Sequence, residues 1–288
     1  MAPASRFSAI GFGYSAEALG RLLIDRGWSV SGTTRSEERA AEMRAMGAEP
    51  LSWPPEPAAL DGVTHLLISA APTAAGDPTL AALGEAIRAR ADQFAWVGYL
   101  STTGVYGDRG GEWVDEDSAL APSTTRGENR VKAEAEWRAT GVPLHIFRIA
   151  GIYGPGRGPF AKVRAGTARR IIKPGQVFSR IHRDDIAAAL AASIDRPRQG
   201  GVYNLCDDLP APPQDVIGYA AELLGAPPPP EEAFETAEMS PMARSFYSES
   251  KRVSNRRLRE ELGVALAYPT YREGLEATLA EETAERRR

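Results

Sequence analysis

Three small residues carry the first chemistry: Gly11, Gly13 and Ala16 in "IGFGYSA". They fit G-x-G-x-x-G/A between an apolar run and an amphipathic one, the pattern of a dinucleotide-binding turn. Gly11 permits the tight turn, Gly13 keeps a side chain out of the path of a pyrophosphate, and Ala16 lets a helix pack close to its strand. Tyr14, Ser15 and Ala16 open that helix, whose positive end and free amides suit phosphate. The next apolar run ends in "GTTR". Arg35 is the first charge after it, and Thr33, Thr34 and Ser36 add hydroxyls. A guanidinium there suits the 2′-phosphate of NADP, whereas an acidic residue would suit the ribose of NAD. NADP is therefore the preferred cofactor and NAD the other candidate. The plain alternative for Arg35 is a solvated residue at a helix start. No G-x-S-x-G elbow and no G-x-x-x-x-G-K-[ST] loop occurs, so hydrolase and P-loop chemistry lack a motif.

The elements that must hold these residues are legible as periodicity. "RFSAIGFG" reads as a buried strand ending in glycines, and "SAEALGRLLIDRG" as a helix with Ala16, Leu19, Leu22 and Leu23 on one face. "WSVSGTTR" is a second strand. "SEERAAEMRAMG" is a second helix, with Ser36 as its N-cap and Gly47 at its end. "THLLISAAP", "AWVGYLSTTGVYG", "PLHIFRIAGIYG" and "GGVYNLCDD" read as strands. "TLAALGEAIRARADQF", "STTRGENRVKAEAEWRATG" and "RDDIAAALAASID" read as helices, the last capped by Asp184 or Asp185. Strand–helix alternation of this kind implies a parallel sheet covered on both faces. The expected class is α/β: a Rossmann-type doubly wound parallel sheet with a small C-terminal α+β substrate lobe. Residues 1–149 and 184–206 are assigned to the NAD(P)-binding domain, and 150–183 and 207–288 to the lobe. "APPPPEEA" is expected to break regular structure, and "EETAERRR" to fray or to be disordered.

Composition narrows the function classes. Of 288 residues, 43% are hydrophobic and 25% charged, and the net charge is −4. No broad basic surface supports nucleic-acid or anionic-membrane binding. No apolar run approaches the roughly 20 residues that span a bilayer. One cysteine, Cys206, and three histidines give no disulfide and no metal cluster, so no metal site is expected. The N-terminus lacks a basic start and a long apolar stretch, and the expected location is the cytoplasm.

From Leu100 onward the chain resembles the short-chain dehydrogenase/reductase superfamily. In particular it looks like the atypical and extended members grouped as NAD-dependent epimerase/dehydratase-like proteins. The matching segments, in order, are "IGFGYSA", "LISAAP", "LSTTGVYG", the helix with Lys132 and Glu136, "FRIAGIYGPGR", "IHRDDIA" and "VYNLCDD". The resemblance implies that Ser69, Ala70, Ala71 and Pro72 pack against the adenosine part of the cofactor. It implies that Thr102 hydrogen-bonds a substrate oxygen, with Ser101 and Thr103 as neighbours. Lys132 would grip the nicotinamide ribose, and Ala150, Gly151, Ile152 and Tyr153 would border the nicotinamide. Arg157, His182 and Arg183 would lie near the substrate cleft, and homodimerisation through helices at 79–93 and 125–139 is a family possibility.

One departure limits what the resemblance implies. Usual members keep a catalytic tyrosine four residues before the lysine, on the same helical face. Here Glu128 holds that place, and Arg126 and Arg130 beside it favour its ionised form. Tyr106, then Tyr153 or His182, are the substitute proton donors. Lys132 also has a bland reading, as a surface lysine in a helix of opposite charges with Glu128 and Glu136. The leading function is an NAD(P)-dependent oxidoreductase or epimerase-like enzyme, moving a hydride at a carbonyl or alcohol carbon of a small molecule. A second reading is a non-catalytic NADP(H) sensor. A third is a nucleotide-sugar epimerase or dehydratase, supported by the basic residues Arg157, Lys162 and Arg164. Both monomer and homodimer remain open.

Overall fold

A computed structural model describes residues 5–286. The chain alternates as its periodicity demands: β1 (Arg6–Ile10), α1 (Tyr14–Asp25), β2 (Ser29–Thr34), α2 (Glu37–Ala45), β3 (Glu49–Ser52), β4 (His65–Ile68), α3 (Pro78–Ala89) and β5 (Trp96–Thr102). A short 3₁₀ turn, Thr103–Tyr106, follows β5. Then come β6 (Trp113–Val114), α4 (Thr125–Arg138), β7 (Leu144–Ile149), β8 (Gly151–Tyr153), α5 (Phe160–Arg164), β9 (Arg170–Ile172), β10 (Arg180–His182), α6 (Arg183–Asp195) and β11 (Val202–Leu205). The C-terminal stretch holds α7 (Pro213–Leu223), β12 (Glu231–Ala233), α8 (Pro241–Phe246), β13 (Arg252–Val253), α9 (Arg256–Leu262) and α10 (Tyr271–Glu285).

Seven strands form one parallel sheet in the order β11-β7-β5-β4-β1-β2-β3. The strand order reverses direction between β1 and β4. In an open α/β sheet that switch leaves a crevice at the carboxyl ends of the strands, the usual place for a ligand. The two faces are buried separately. One apolar cluster gathers Leu19 and Leu23 of α1, Ile186 and Leu190 of α6, and Leu258 and Leu262 of α9. The other gathers Leu83 and Ile87 of α3 with Ala133 and Trp137 of α4. A smaller cluster holds Tyr153, Phe160, Val163, Val216, Ala220, Tyr271 and Leu275, joining α5, α7 and α10.

Several local expectations need correction. The run from Trp96 to Gly107 is not one strand: Gly104 and the Thr102 hydroxyl turn it into the 3₁₀ segment. The run from Leu144 to Tyr153 breaks at Ala150, and β8 leaves the main sheet to pair with β10. Neither Asp184 nor Asp185 caps α6; the His182 ring does, accepting the Asp184 N–H through Nδ1 at 3.2 Å. The proline-rich stretch ends in β12, which pairs with β9. Residues 281–285, expected to fray, belong to α10; the last two residues lie outside the described range. α9, assigned to the lobe by sequence, contributes Leu258 and Leu262 to the core under α6.

Candidate cofactor and substrate cleft

The glycine turn lies at the switch point. Gly11 adopts φ +92°, and a Cβ there would stand 2.9 Å from the Ala70 nitrogen. Both features favour glycine, the first by conformation and the second by close approach. The Thr33 hydroxyl accepts the Gly11 N–H at 2.7 Å, and the amides of Ser69 and Ala70 both donate to the Ile10 carbonyl at 2.9 Å. The carboxyl ends of β1, β2 and β4 are thereby tied together. A Cβ on Gly13 would meet nothing within 4 Å, so the turn is open on its outer side. Ala16 is fully buried against the sheet.

α1 differs from its neighbours at its first turn. Side chains cap α2 (Ser36), α3 (Asp77), α4 (Thr124) and α6 (His182). At α1 the cap is Gly13, which has no side chain to offer. The first-turn amides at Tyr14, Ser15 and Ala16 therefore have no side-chain acceptor from the cap. Glu17, acidic in that turn, is held by Arg21 at 2.7 Å and by Arg39 at 2.5 Å, which neutralise it. These residues fit a dinucleotide's diphosphate. Ser69 and Ala70 are half-buried and Ala71 is exposed, so the loop after β4 borders the same crevice.

At the end of β2, the exposed Arg35 places its guanidinium 5.2 Å from the centroid of the Trp53 ring. Among the described residues no carboxylate pairs with it, whereas Arg39 is bound to Glu17 and Glu42. Thr34 and Ser36 lie beside it, with the Ser36 N–H donating to the Thr34 hydroxyl at 3.3 Å. Arg35 is thus available for an external anion. Glu37 and Glu38 in the first turn of α2 act against one.

The end of β5 supplies Thr102. It is half-exposed, and its hydroxyl accepts the Gly104 N–H at 3.1 Å. An oxygen used as acceptor keeps its own proton for donation, so Thr102 can donate to a ligand oxygen. Ser101 points the other way, donating to the buried Glu134 at 2.6 Å. Thr103 opens the 3₁₀ turn and is half-exposed.

α4 carries Arg130 and Lys132 on different faces. The face of α4 that meets β5 and the following turn carries Gly127, Arg130 and Glu134. A Cβ on Gly127 would stand 2.7 Å from the Gly104 carbonyl oxygen. Arg130 donates to the Leu100 carbonyl and to the Tyr99 hydroxyl. Lys132 lies on another face, 65% exposed, with Glu136 at 3.8 Å. Glu128 is exposed as well. The helical period explains the difference: the Gly127–Arg130–Glu134 stripe and the Glu128–Lys132–Glu136 stripe point in different directions. Sequence reasoning missed Arg130; the cue available was Gly127, since a residue that small in a helix marks close approach to a neighbour.

The substitute proton donors are buried in structural contacts. Tyr106 is fully buried. It donates to Asn204 at 2.7 Å and accepts from Arg148 at 3.0 Å, and burial pushes its pKa up to about 12. Arg148 is in turn bound to Glu134 at 2.9 Å, so Tyr106 belongs to a structural polar network. Tyr153 packs under α10, where a Cβ on Gly274 would meet its ring and hydroxyl, and burial raises its pKa strongly. His182 is 1% exposed, with Tyr268 at 4.0 Å between ring centroids. Its Nδ1 accepts from Asp184, leaving Nε2–H to donate to Thr278 at 3.3 Å, and burial lowers its pKa to about 4. It is a neutral hydrogen-bonding residue.

The loop after β8 reaches the glycine turn through Tyr14. The Tyr14 hydroxyl donates to the Pro155 carbonyl at 2.9 Å. The guanidinium carbons of Arg157 and Arg183 lie 5.7 and 5.0 Å from its ring centroid. Between β7 and the end of β8, Gly151 is exposed, Ile152 half-buried and Ala150 buried, so only part of the segment expected to border the nicotinamide is open to a ligand. Lys162 is exposed, and Arg164 is paired with Glu282 at 2.6 Å. A separate groove of about 430 Å³, lined by Trp113, Asp207, Asn255 and Arg259 among others, contains none of the expected site residues. Among the described residues no cluster could hold a metal ion, and no helix is long and apolar enough to cross a membrane.

Comparison with known proteins agrees with this fold. No family model matches the chain. Protein YeeZ of Escherichia coli (strain K12) is 30% identical over 282 residues, covering 92% of this chain and 96% of YeeZ. The structure of a functionally unknown conserved protein from Silicibacter pomeroyi DSS is 61% identical, with TM-score 0.94, covering 96% of this chain and 99% of that one. A candidate NAD-dependent epimerase/dehydratase from Methylobacillus flagellatus is 27% identical, with TM-score 0.71, covering 97% and 99%. The dTDP-glucose 4,6-dehydratase of Bacillus anthracis str. Ames, solved in complex with NAD, shares the fold at 16% identity. Its TM-score is 0.79, covering 98% of this chain and 97% of that one. The chain belongs to the family of Protein YeeZ, built on the Rossmann-like fold of NAD-dependent epimerase/dehydratase structures.

Proposed function

We propose that this protein is an NADP(H)-dependent oxidoreductase of the atypical extended short-chain dehydrogenase type, acting in the cytoplasm on a small carbonyl or alcohol. The observation that carries the reading is the open glycine turn at the uncapped start of α1, with Arg35 unpaired at the end of β2. Neighbours of the fold are solved with NAD; Arg35 is what favours the 2′-phosphate here. A bound nicotinamide supplies or accepts the hydride. Thr102 orients the substrate oxygen through its free hydroxyl proton. Arg130 of α4, which donates to the Leu100 carbonyl of β5, adds a positive charge that favours a developing alkoxide. A guanidinium stays protonated, so it does not deliver the proton; water in the open cleft does.

The sensor reading retains one specific support: Tyr106, Tyr153 and His182 are all sequestered in structural contacts. The nucleotide-sugar reading draws on neighbours such as UDP-glucuronic acid 4-epimerase from Bacillus cereus, but here Arg164 is already neutralised by Glu282. Calorimetric titration with NADPH and NADH, followed by NADPH oxidation over a panel of aldehydes and ketones, separates these readings. Binding with turnover of at least one carbonyl supports the oxidoreductase. Tight binding with no turnover of any panel member favours the sensor. No binding of either nucleotide removes both.

A further inference from the structure

We infer that Arg157, from the loop after β8, together with Arg183 at the start of α6, forms a cationic wall for a diphosphate at the opening of α1, so that the loop as well as the glycine turn holds the dinucleotide. The inference rests on the cofactor reading above. Tyr14 is the first residue of α1, immediately after Gly13. Its half-buried ring is the spacer between the turn and the loop, fixed by the bond from its hydroxyl to the Pro155 carbonyl. Gly154 belongs to the same arrangement: a Cβ there would stand 2.7 Å from the Tyr14 hydroxyl. Both guanidinium carbons lie within 6 Å of the ring centroid.

The two arginines differ in what else they hold. Arg183 bonds Asp184 at 3.1 Å and lies 3.7 Å from Glu281. Arg157 is exposed, and among the described residues no carboxylate pairs with it. Its main chain is fixed all the same, exchanging two hydrogen bonds with Gly154 at 2.9 and 3.0 Å. An arginine without a carboxylate, on a fixed turn and with its guanidinium against the ring of the first residue of α1, is matched by an anion able to take charge-assisted bonds from it and from the helix amides. A dinucleotide's diphosphate carries two negative charges, which the partial charge of α1 alone does not balance. A nucleotide-diphosphate substrate would offer the same chemistry, so the test must tell the two apart.

The experiment compares wild type with Arg157→Ala and Arg157→Lys by calorimetric titration at low and at physiological salt, using NADPH, 2′-AMP and UDP as probes. Arg157→Ala is expected to weaken NADPH binding about tenfold and to flatten its salt dependence. Binding of 2′-AMP, which lacks a diphosphate, should not change. Arg157→Lys should recover part of the loss, since it keeps the charge but not the fork. The ligand-free melting temperature should not move, because Arg157 bonds no carboxylate. Unchanged NADPH affinity and salt dependence in Arg157→Ala would overturn the inference. So would weakened UDP binding with NADPH binding intact, which assigns the diphosphate to a substrate. Failure of the wild type to bind NADPH or NADH is a different result, removing the cofactor reading itself.

Discussion

At the scale of single residues, availability decides the roles. Arg35 is exposed and stacked on Trp53 without a carboxylate, while Arg39 one turn later is fully occupied. Arg35→Ala is therefore expected to weaken NADPH binding about tenfold and to leave NADH binding unchanged, measured by titration with each nucleotide. Equal losses for both would show that Arg35 does not contact the 2′-phosphate. Thr102 and Lys132 invite a paired comparison. Thr102→Ala should lower kcat about 100-fold on any carbonyl the protein reduces, with NADPH affinity retained. Lys132→Ala should change neither kcat nor affinity, and should shift stability by less than about 0.5 kcal/mol, because its side chain is 65% exposed. The glycine turn and Arg35 are legible in sequence because each acts through its own backbone or its own charge. Arg130 was not legible, because its role depends on which stripe of α4 meets β5.

At the scale of elements, α4 is anchored by its buried carboxylate rather than by its surface charges. Glu134 has no exposed surface, and it receives Ser101 from β5 and Arg148 from β7. Arg148 continues to Tyr106, and Tyr106 to Asn204 of β11, so one polar chain ties a helix to three strands. Removing one partner leaves a buried charge without compensation. Glu134→Ala should destabilise the protein by about 3–5 kcal/mol, read by denaturant unfolding. A cost below about 1 kcal/mol would show that the network adds little to the fold. The same network explains why the Tyr106 hydroxyl is buried and occupied: position at a strand end was visible in the sequence, but the arginine that fills the space beside it was not.

At the scale of the whole molecule, pH and assembly can be predicted. Burial holds His65, His145 and His182 at about 4, against an ordinary value near 6.5. Between those values the unfolded chain binds protons that the native state refuses, so stability falls as pH drops from about 6.5 towards 4. Asp207 has the opposite sign, since burial pushes its carboxyl up to about 8. The native state keeps that proton while the unfolded chain loses it near 4, so stability also falls as pH rises towards 8. Of these four groups, the three histidines oppose Asp207 below pH 6.5, and Asp207 acts alone above it. The melting temperature should peak near pH 6–7, and Asp207→Asn should remove the alkaline decline. An unchanged alkaline decline in that variant would refute the assignment to Asp207. On assembly, the exposed large apolar side chains among the described residues are Trp113, Leu209 and Phe246, none of them on α3 or α4. The outward face of α4 carries Glu128, Lys132 and Glu136, charges that stable interface cores avoid. Sedimentation at micromolar concentration is expected to give a monomer; a dimer disrupted by charge reversal on α4 would contradict this.

The sequence alone determined the alternating α/β order, the glycine turn at the end of β1, the Ser36 cap of α2 and the arginine at the end of β2. These follow from local causes: side-chain period, missing Cβ atoms, and hydroxyls beside free amides. Only the tertiary structure decided which face of α4 packs on β5, that Tyr106, Tyr153 and His182 are buried, and that Tyr14 joins the glycine turn to the loop of Arg157. Each of those depends on packing between segments far apart in the chain: Tyr14 lies 141 residues before Pro155, and Tyr106 lies 98 before Asn204. Burial and hydrogen bonding at such distances fix whether a titratable group can meet a ligand, and a local pattern carries no record of them.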